Sequence, residues 1–299
     1  MTIKILDHVA VGLPIARRGI SFLPVYLAGN DLPAMTTGAE SGLTIEELAR
    51  ATVPTLMAHN PTDRPILVVE GEHWLGGKQN RALNATILVP PNSELEIPVS
   101  CLEQGRWSHR RAQYRRSTSY APRRVRQTTV ESVNRSAERS GRRDSAQGAV
   151  WHSIGAELQE ANVQSESDAA EDLHRRFEAD TGWRDAVAEL EAMGPLPQQC
   201  GFVVSHGDRA VAAELFGIRD LLAVHWSALI RSYLREHPIA TGYAPCTRSL
   251  YRLRDFGRVA GHTQEGVGMG WEKRVSGKTM VGQALMLEQG LVHASIFFR

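Results

Sequence analysis

Between Pro65 and Trp107 the chain sets Glu70, Glu72, Lys78, Gln79, Asn80, Arg81, Glu103 and Arg106 along short apolar runs, in ILVVEGEHWLGGKQNR and then NATILVPPNSELEIPVSCLEQGRW. Carboxylates, amides and basic groups gathered at the ends of buried runs suit either a ligand pocket or a buried ionic network. In ILVVE every residue before Glu70 is apolar, so both faces of that strand belong inside and the carboxylate sits where the core ends. An ionised carboxylate buried without a partner is strongly destabilising, so Lys78 or Arg81, brought back by the Gly76-Gly77 turn, is the expected counterion. In LEIPVSCLE the period of two sets Ile97, Val99, Cys101 and Glu103 on one face. A carboxylate beside a thiol raises the thiol pKa, so Cys101 reads as an inert buried cysteine.

Glu103 together with Glu70 or Glu72 makes a candidate carboxylate pair for acid/base work, one held protonated by the charge of the other. Glu70 and Glu103 are therefore the catalytic candidates. Glu72, Lys78, Gln79, Asn80, Arg81, Arg106 and Trp107 are the ligand-binding candidates, since amide and guanidinium donors beside the flat faces of Trp74 and Trp107 suit an anionic ligand that carries an aromatic ring. His59, His73 and His109 stand in no recognised catalytic spacing. Glu70, Glu72, His73 and Glu103 make no specific metal motif, and no cofactor is indicated.

These residues need strands to hold them. FLPVYLAG, VPTLMAH, PILVVE, NATILVP and LEIPVSCLE are short, rich in Val, Ile and Leu, and separated by Pro, Gly, Asn and Asp, as consecutive strands are. Pro90-Pro91-Asn92-Ser93 predicts a hairpin connection. Thr44-Ile-Glu-Glu47 has the form of a capping box and predicts a short helix over LTIEELARAT. Ser165-Glu-Ser-Asp168 predicts a second helix start, followed by an apolar stripe of Leu173, Phe177, Trp183, Val187 and Leu190 interrupted near Gly182. GFVVS and AVAAELF flank His206-Gly207-Asp208, a hairpin whose tight turn Gly207 can make. Leu222, Trp226, Leu229, Ile230 and Tyr233 have helical spacing, stopped by Pro238, and read as core. VGMGWEKRV, KTMVGQALMLE and LVHASIFF return to strand signals.

The organisation expected is an N-terminal β-rich half over 1–107, an Arg-rich, partly mobile insertion over 108–149, a helical segment over 150–194, and a C-terminal half over 195–299 that completes the same domain. Strands and helices come in blocks with no regular βα alternation, no GxGxxG and no P-loop, so the class is α+β with an antiparallel or mixed sheet core built from two β-rich segments.

A formal charge of +1 on 299 residues gives no overall attraction to nucleic acid or membrane. The distribution is uneven. Twelve arginines against Glu131 and Glu138 between Arg106 and Arg143 give +10, and eleven acids against three arginines between Glu157 and Glu191 give −8. These blocks either pair with each other or leave Arg110 to Arg143 free for nucleic acid. Three scattered cysteines suit a reducing, cytoplasmic setting, no secretory leader is read, and no window approaches the roughly 18 apolar residues of a membrane span.

The combination of ILVVEGEHWLGGKQNR, ILVPPNSELEIPVSCLEQGRW, GFVVSHGDRAVAAELFG and VGQALMLEQGLVHASIFF resembles the ARG and rhodanese-phosphatase-superfamily-associated protein domain family across nearly the whole chain. The matching positions are Glu70, Glu72, Gly76 to Arg81, Cys101, Glu103 and Gly105 to Trp107, with Glu214 and His293 less firmly. The resemblance implies genomic company with ADP-ribosylglycohydrolases and phosphatase-like proteins. That points to ADP-ribose, NAD or a related nucleotide as the ligand of a binding protein, or of a hydrolase in ADP-ribose or NAD metabolism or defence. The alternatives are a nucleic-acid-binding module built on the Arg-rich segment and a non-catalytic assembly subunit. The sequence does not give the oligomeric state.

Overall fold

The computed structural model describes residues 1–108, 113–236 and 242–299. The fold is α+β, and the chain forms two compact units, one of Met1–Pro33, Asp185–Gly266 and Gly270–Arg299, the other of Ala34–Arg184 with Val267–Met269. His109, Arg110, Arg111 and Pro238, each used in the sequence reading, lie outside the described residues. No helix among the described residues is long and apolar enough to cross a membrane.

The first unit is built on one antiparallel sheet. Its neighbouring strands run in the order Ala10–Val11, Ile20–Tyr26, Gly201–His206, Arg209–Phe216, Gly290–Phe298, Met280–Leu287, Trp271–Ser276 and His262–Glu265, and Ile15–Arg17 also pairs with Ile20–Tyr26. Leu23, Val25, Val203, Ala213, Leu215, Ala284 and Ile296 form part of its buried core. The predicted hairpin at Gly207 is present, with Gly207 at φ 58°. The predicted helix runs Arg219–Tyr233 with Leu222, Trp226, Leu229, Ile230 and Tyr233 all buried. A further helix, Cys246–Arg258, was not foreseen, because its four arginines conceal a narrow apolar face of Leu253 and Phe256.

The second unit, which carries the polar cluster, has two small sheets. One orders Arg115–Arg116, His73–Leu75, Arg81–Leu83, Ser93–Cys101, Thr55–Asn60 and Thr44–Glu46, and the other orders Ile87–Val89, Ile66–Val68 and Thr36–Thr37. Ser93–Cys101 links two partners, since residues 93–98 pair with Thr55–Asn60 and residues 99–101 with Arg81–Leu83. That register sets Cys101 opposite Arg81. Between the sheets' apolar faces lie Leu56, Val68, Trp74, Leu83, Ile87, Val89, Ile97 and Val99 in one core.

Several local expectations need correction. Thr44–Glu46 is a strand, not a helix start, because Thr44, Ile45 and Glu46 pair with His59, Ala58 and Met57. Pro90 to Ser93 does not close a hairpin, since Ile87–Val89 pairs back to Ile66–Val68 while Ser93–Cys101 joins the other sheet. The Arg-rich segment, expected to be loosely packed, contains the helix Arg123–Ser140 with Val125, Thr129, Val130, Val133 and Ala137 buried. Its inner face is made of small and β-branched residues spaced by about one turn, so composition alone conceals it. In the following segment Ser165 Oγ accepts from the Ala169 amide, and helices run Ala170–Glu178 and Thr181–Met193. The break falls at Asp180, whose carboxylate caps the Trp183 amide.

Candidate functional site

The turn after His73–Leu75 is shaped by Gly76 and Gly77, at φ 139° and 48°. Neither position admits a side chain. A Cβ on Gly76 would lie 2.7 Å from the Gln113 carbonyl, and one on Gly77 would lie 2.3 Å from the Tyr114 hydroxyl. Arg106 fixes the loop from one side. Its Nη1 donates to Gly77 O at 2.8 Å and Ser108 O at 2.7 Å, and its Nη2 lies 2.7 Å from Glu103 Oε2. Asn80 closes the turn, its side-chain oxygen accepting from the Gly76 amide and from Arg106.

Glu103 is fully buried and well supplied with donors, from Arg106, from Ser167 Oγ at 2.9 Å and from the Asn80 amide at 3.3 Å. Burial alone would raise its pKa, but the hydrogen bonds from Arg106 and Ser167, with the Arg106 charge and the Asn80 amide, hold the carboxyl below its ordinary value. It is an ionised latch, not a reservoir of protons.

Glu70 and Glu72 are taken up separately. Glu70, also fully buried, pairs with Arg126 at 2.8 Å, and Glu72 pairs with Arg116 while accepting from the Val69 amide at 2.7 Å. This corrects the expected counterions, which were Lys78 and Arg81. Arg126 arrives on the helix Arg123–Ser140 and lies over Gly71, where a Cβ would meet its Nε at 2.3 Å. Each of the three carboxylates thus has its own arginine. Burial pushes the Glu72 carboxyl up despite Arg116.

Arg81 is left differently placed. It is fully buried, its Nη1 donates to Gln79 Oε1 at 2.8 Å, and its Nε and Nη2 have no acceptor among the described residues. Gln79 in turn donates to Glu103 O at 2.9 Å, which ties the guanidinium to the Glu103 latch. Lys78 Nζ lies 5.1 Å and the Arg81 guanidinium carbon 5.8 Å from the centre of the Trp107 ring, itself half exposed. Lys78, Gln79, Arg81 and Trp107 therefore do come together, with Asn80, Arg106 and Glu103 as their support. Cys101 is buried, as expected: its thiol donates to Glu103 O at 2.9 Å, and burial raises its pKa more than the nearby Arg81 charge lowers it.

Two residues of this site were missed by sequence reasoning. Glu47 Oε1 accepts from the Lys78 amide at 3.1 Å and from Tyr114 OH at 2.8 Å, and Tyr114 OH also lies 3.1 Å from Gln79 O. Burial pushes the Tyr114 pKa up, so the phenol stays protonated and donates. The signal for Glu47 was read as helix capping.

Other candidates lie elsewhere. His73 approaches Glu171 at 3.6 Å, and His59 lies between Glu46 and Glu94. Glu214 and His293 belong to the first unit, 3.5 Å apart, with Tyr233 donating to Glu214. Among the described residues no group of three or more His, Cys, Asp or Glu is placed to hold a metal ion. Much of the arginine run is occupied internally: besides Arg106, Arg116 and Arg126, Arg124 pairs with Glu157 and Glu160 and Arg142 with Asp144.

No curated protein and no solved structure matches the chain. The sequence profile of the ARG and Rhodanese-Phosphatase-superfamily-associated Protein domain matches residues 8–297. The stretch matched takes in both β-rich segments, the glycine turn with its arginine latch and the helices between them, and the chain belongs to that family.

Proposed function

We propose that this protein binds a phosphorylated, nucleotide-like small molecule, with ADP-ribose and NAD the first ligands to test, at the cluster of Lys78, Gln79, Arg81 and Trp107. The observation that carries the reading is Arg81: a guanidinium wholly removed from water, with two nitrogens lacking an acceptor among the described residues. Buried guanidinium nitrogens without acceptors are costly, and a phosphate group supplies the pair of acceptors that the fork of Arg81 fits. Lys78 adds a second positive charge on the same loop, and the exposed half of Trp107 offers a flat surface to a base or ring. The association with ADP-ribosylglycohydrolases that the family resemblance implies selects ADP-ribose and NAD among such ligands. Glu70 and Glu103, both held by arginines, serve this reading as supports of the loop and its surroundings.

Thermal denaturation with ADP-ribose, NAD, AMP and inorganic phosphate tests it. A ligand present at about 100 times its Kd adds about 2.7 kcal/mol of stability, so a clear rise in Tm is expected with at least one nucleotide. Arg81→Lys should weaken that ligand at least about tenfold, because an ammonium cannot reproduce the paired geometry. Unchanged melting with all four compounds would remove the proposal.

A further inference from the structure

The loop that carries Lys78 and Arg81 has an excess of hydrogen-bond donors at one end and an excess of acceptors at the other. At Arg81, Nε and Nη2 are the surplus donors. At Glu47 the surplus is of acceptors. Tyr114 has a single proton to give, yet its oxygen lies 2.8 Å from Glu47 Oε1 and 3.1 Å from Gln79 O, both of them acceptors. Glu47 Oε1 also takes the Lys78 amide, and Glu47 Oε2 is buried with no hydrogen-bond partner among the described residues. The two ends are close, since Arg81, Arg106 and Glu47 all act electrostatically on the Tyr114 hydroxyl.

Resting on the anion-binding reading above, we infer that Glu47 is a further ligand-binding residue, its Oε2 accepting hydroxyl hydrogens from a phosphorylated polyol whose phosphate is held by Arg81 and Lys78. A bare oxyanion satisfies the guanidinium and leaves the carboxylate oxygen unmet. A ligand with a phosphate at one end and hydroxyls a few bonds away satisfies both at once. An ammonium-bearing ligand would also suit a carboxylate, but here Arg81 and Arg106 already act on the Tyr114 hydroxyl that Glu47 accepts from, which favours a neutral donor. Glu47 thus reads the sugar and Arg81 the phosphate, and a site built to pair with a hydroxyl discriminates strongly against the analogue that lacks it.

Calorimetric titration of the full chain with four compounds tests this: ribose 5-phosphate, pentyl phosphate, phosphoethanolamine and inorganic phosphate. Ribose 5-phosphate is expected to bind about tenfold or more tightly than pentyl phosphate, which has the same charge and no hydroxyl, and more tightly than phosphoethanolamine. Glu47→Gln keeps an oxygen for the Lys78 amide and Tyr114 but turns the other position into a donor. In that variant the preference for ribose 5-phosphate over pentyl phosphate should collapse toward unity. Pentyl phosphate binding as well as ribose 5-phosphate to the wild-type chain overturns the role of Glu47 while leaving the phosphate site standing, and needs no variant to fold. A preference that survives Glu47→Gln, or tighter binding of phosphoethanolamine, overturns it as well. If none of the four binds, the anion site itself fails and this inference with it.

Discussion

Glu103 and Arg106 form a pair in which neither partner can be removed cheaply, because both are buried and each leaves the other's charge stranded. Glu103→Gln is expected to cost about 3 to 5 kcal/mol in urea denaturation, the usual penalty for breaking such a pair from one side. The pH dependence carries a clear sign. A carboxyl whose folded pKa lies below its unfolded value contributes stability that is present above the unfolded value and is lost as pH falls through the folded one. Wild-type stability should therefore decline more steeply below about pH 4.5 than that of Glu103→Gln, and an acid titration of the two proteins that runs parallel would contradict the latch. Lys273 works in the opposite range. It is fully buried, donates to Phe256 O at 3.0 Å and Gly257 O at 2.9 Å at the end of the helix Cys246–Arg258, and burial lowers its pKa from 10.5 to about 8. Between those values the unfolded chain holds the extra proton, so stability rises with pH across that window. Lys273→Met removes the term, and the difference in unfolding free energy between the two proteins should move in favour of wild type from about pH 7 to about pH 10.

At the scale of elements, the helix Arg123–Ser140 earns its place through one glycine. Gly71 has φ 79°, and its missing side chain is the space in which the Arg126 stem runs to Glu70. Gly71→Ala should destabilise by more than the roughly 1 kcal/mol of an unfavourable left-handed alanine, since Arg126 must also shift and loosen its hold on Glu70. Circular dichroism melting of Gly71→Ala in the wild-type chain and in an Arg126→Met background separates the two contributions. Strands announced themselves where β-branched residues alternate or run together, and the helix Arg219–Tyr233 where apolar residues keep its period. Thr44–Glu47 misled because a capping box and a short polar strand are written with the same letters, and only pairing with Thr55–Asn60 decides between them. The partner of Glu70 was illegible for a different reason. Charge balance demanded a cation, but Arg126 stands 56 positions away among many arginines, and nothing local marks it. The gathering of Lys78, Gln79, Arg81 and Trp107 was legible because a single tight turn and the next strand pairing bring it about.

On the scale of the whole molecule, the near-neutral charge of +1 conceals opposed blocks, and within the basic one Arg116, Arg124 and Arg126 pair with Glu72, Glu157 and Glu70. Buried charge also enters the first unit, where Arg274 pairs with Glu272 within the broad antiparallel sheet. That sheet has a further implication for synthesis. Ile20–Tyr26 is made long before its neighbour Gly201–His206, and the sheet is completed through the later Gly290–Phe298. A nascent polypeptide must therefore hold an apolar β-segment in waiting while Ala34–Arg184 emerges in between, and the first unit cannot close until Gly290–Phe298 has been made.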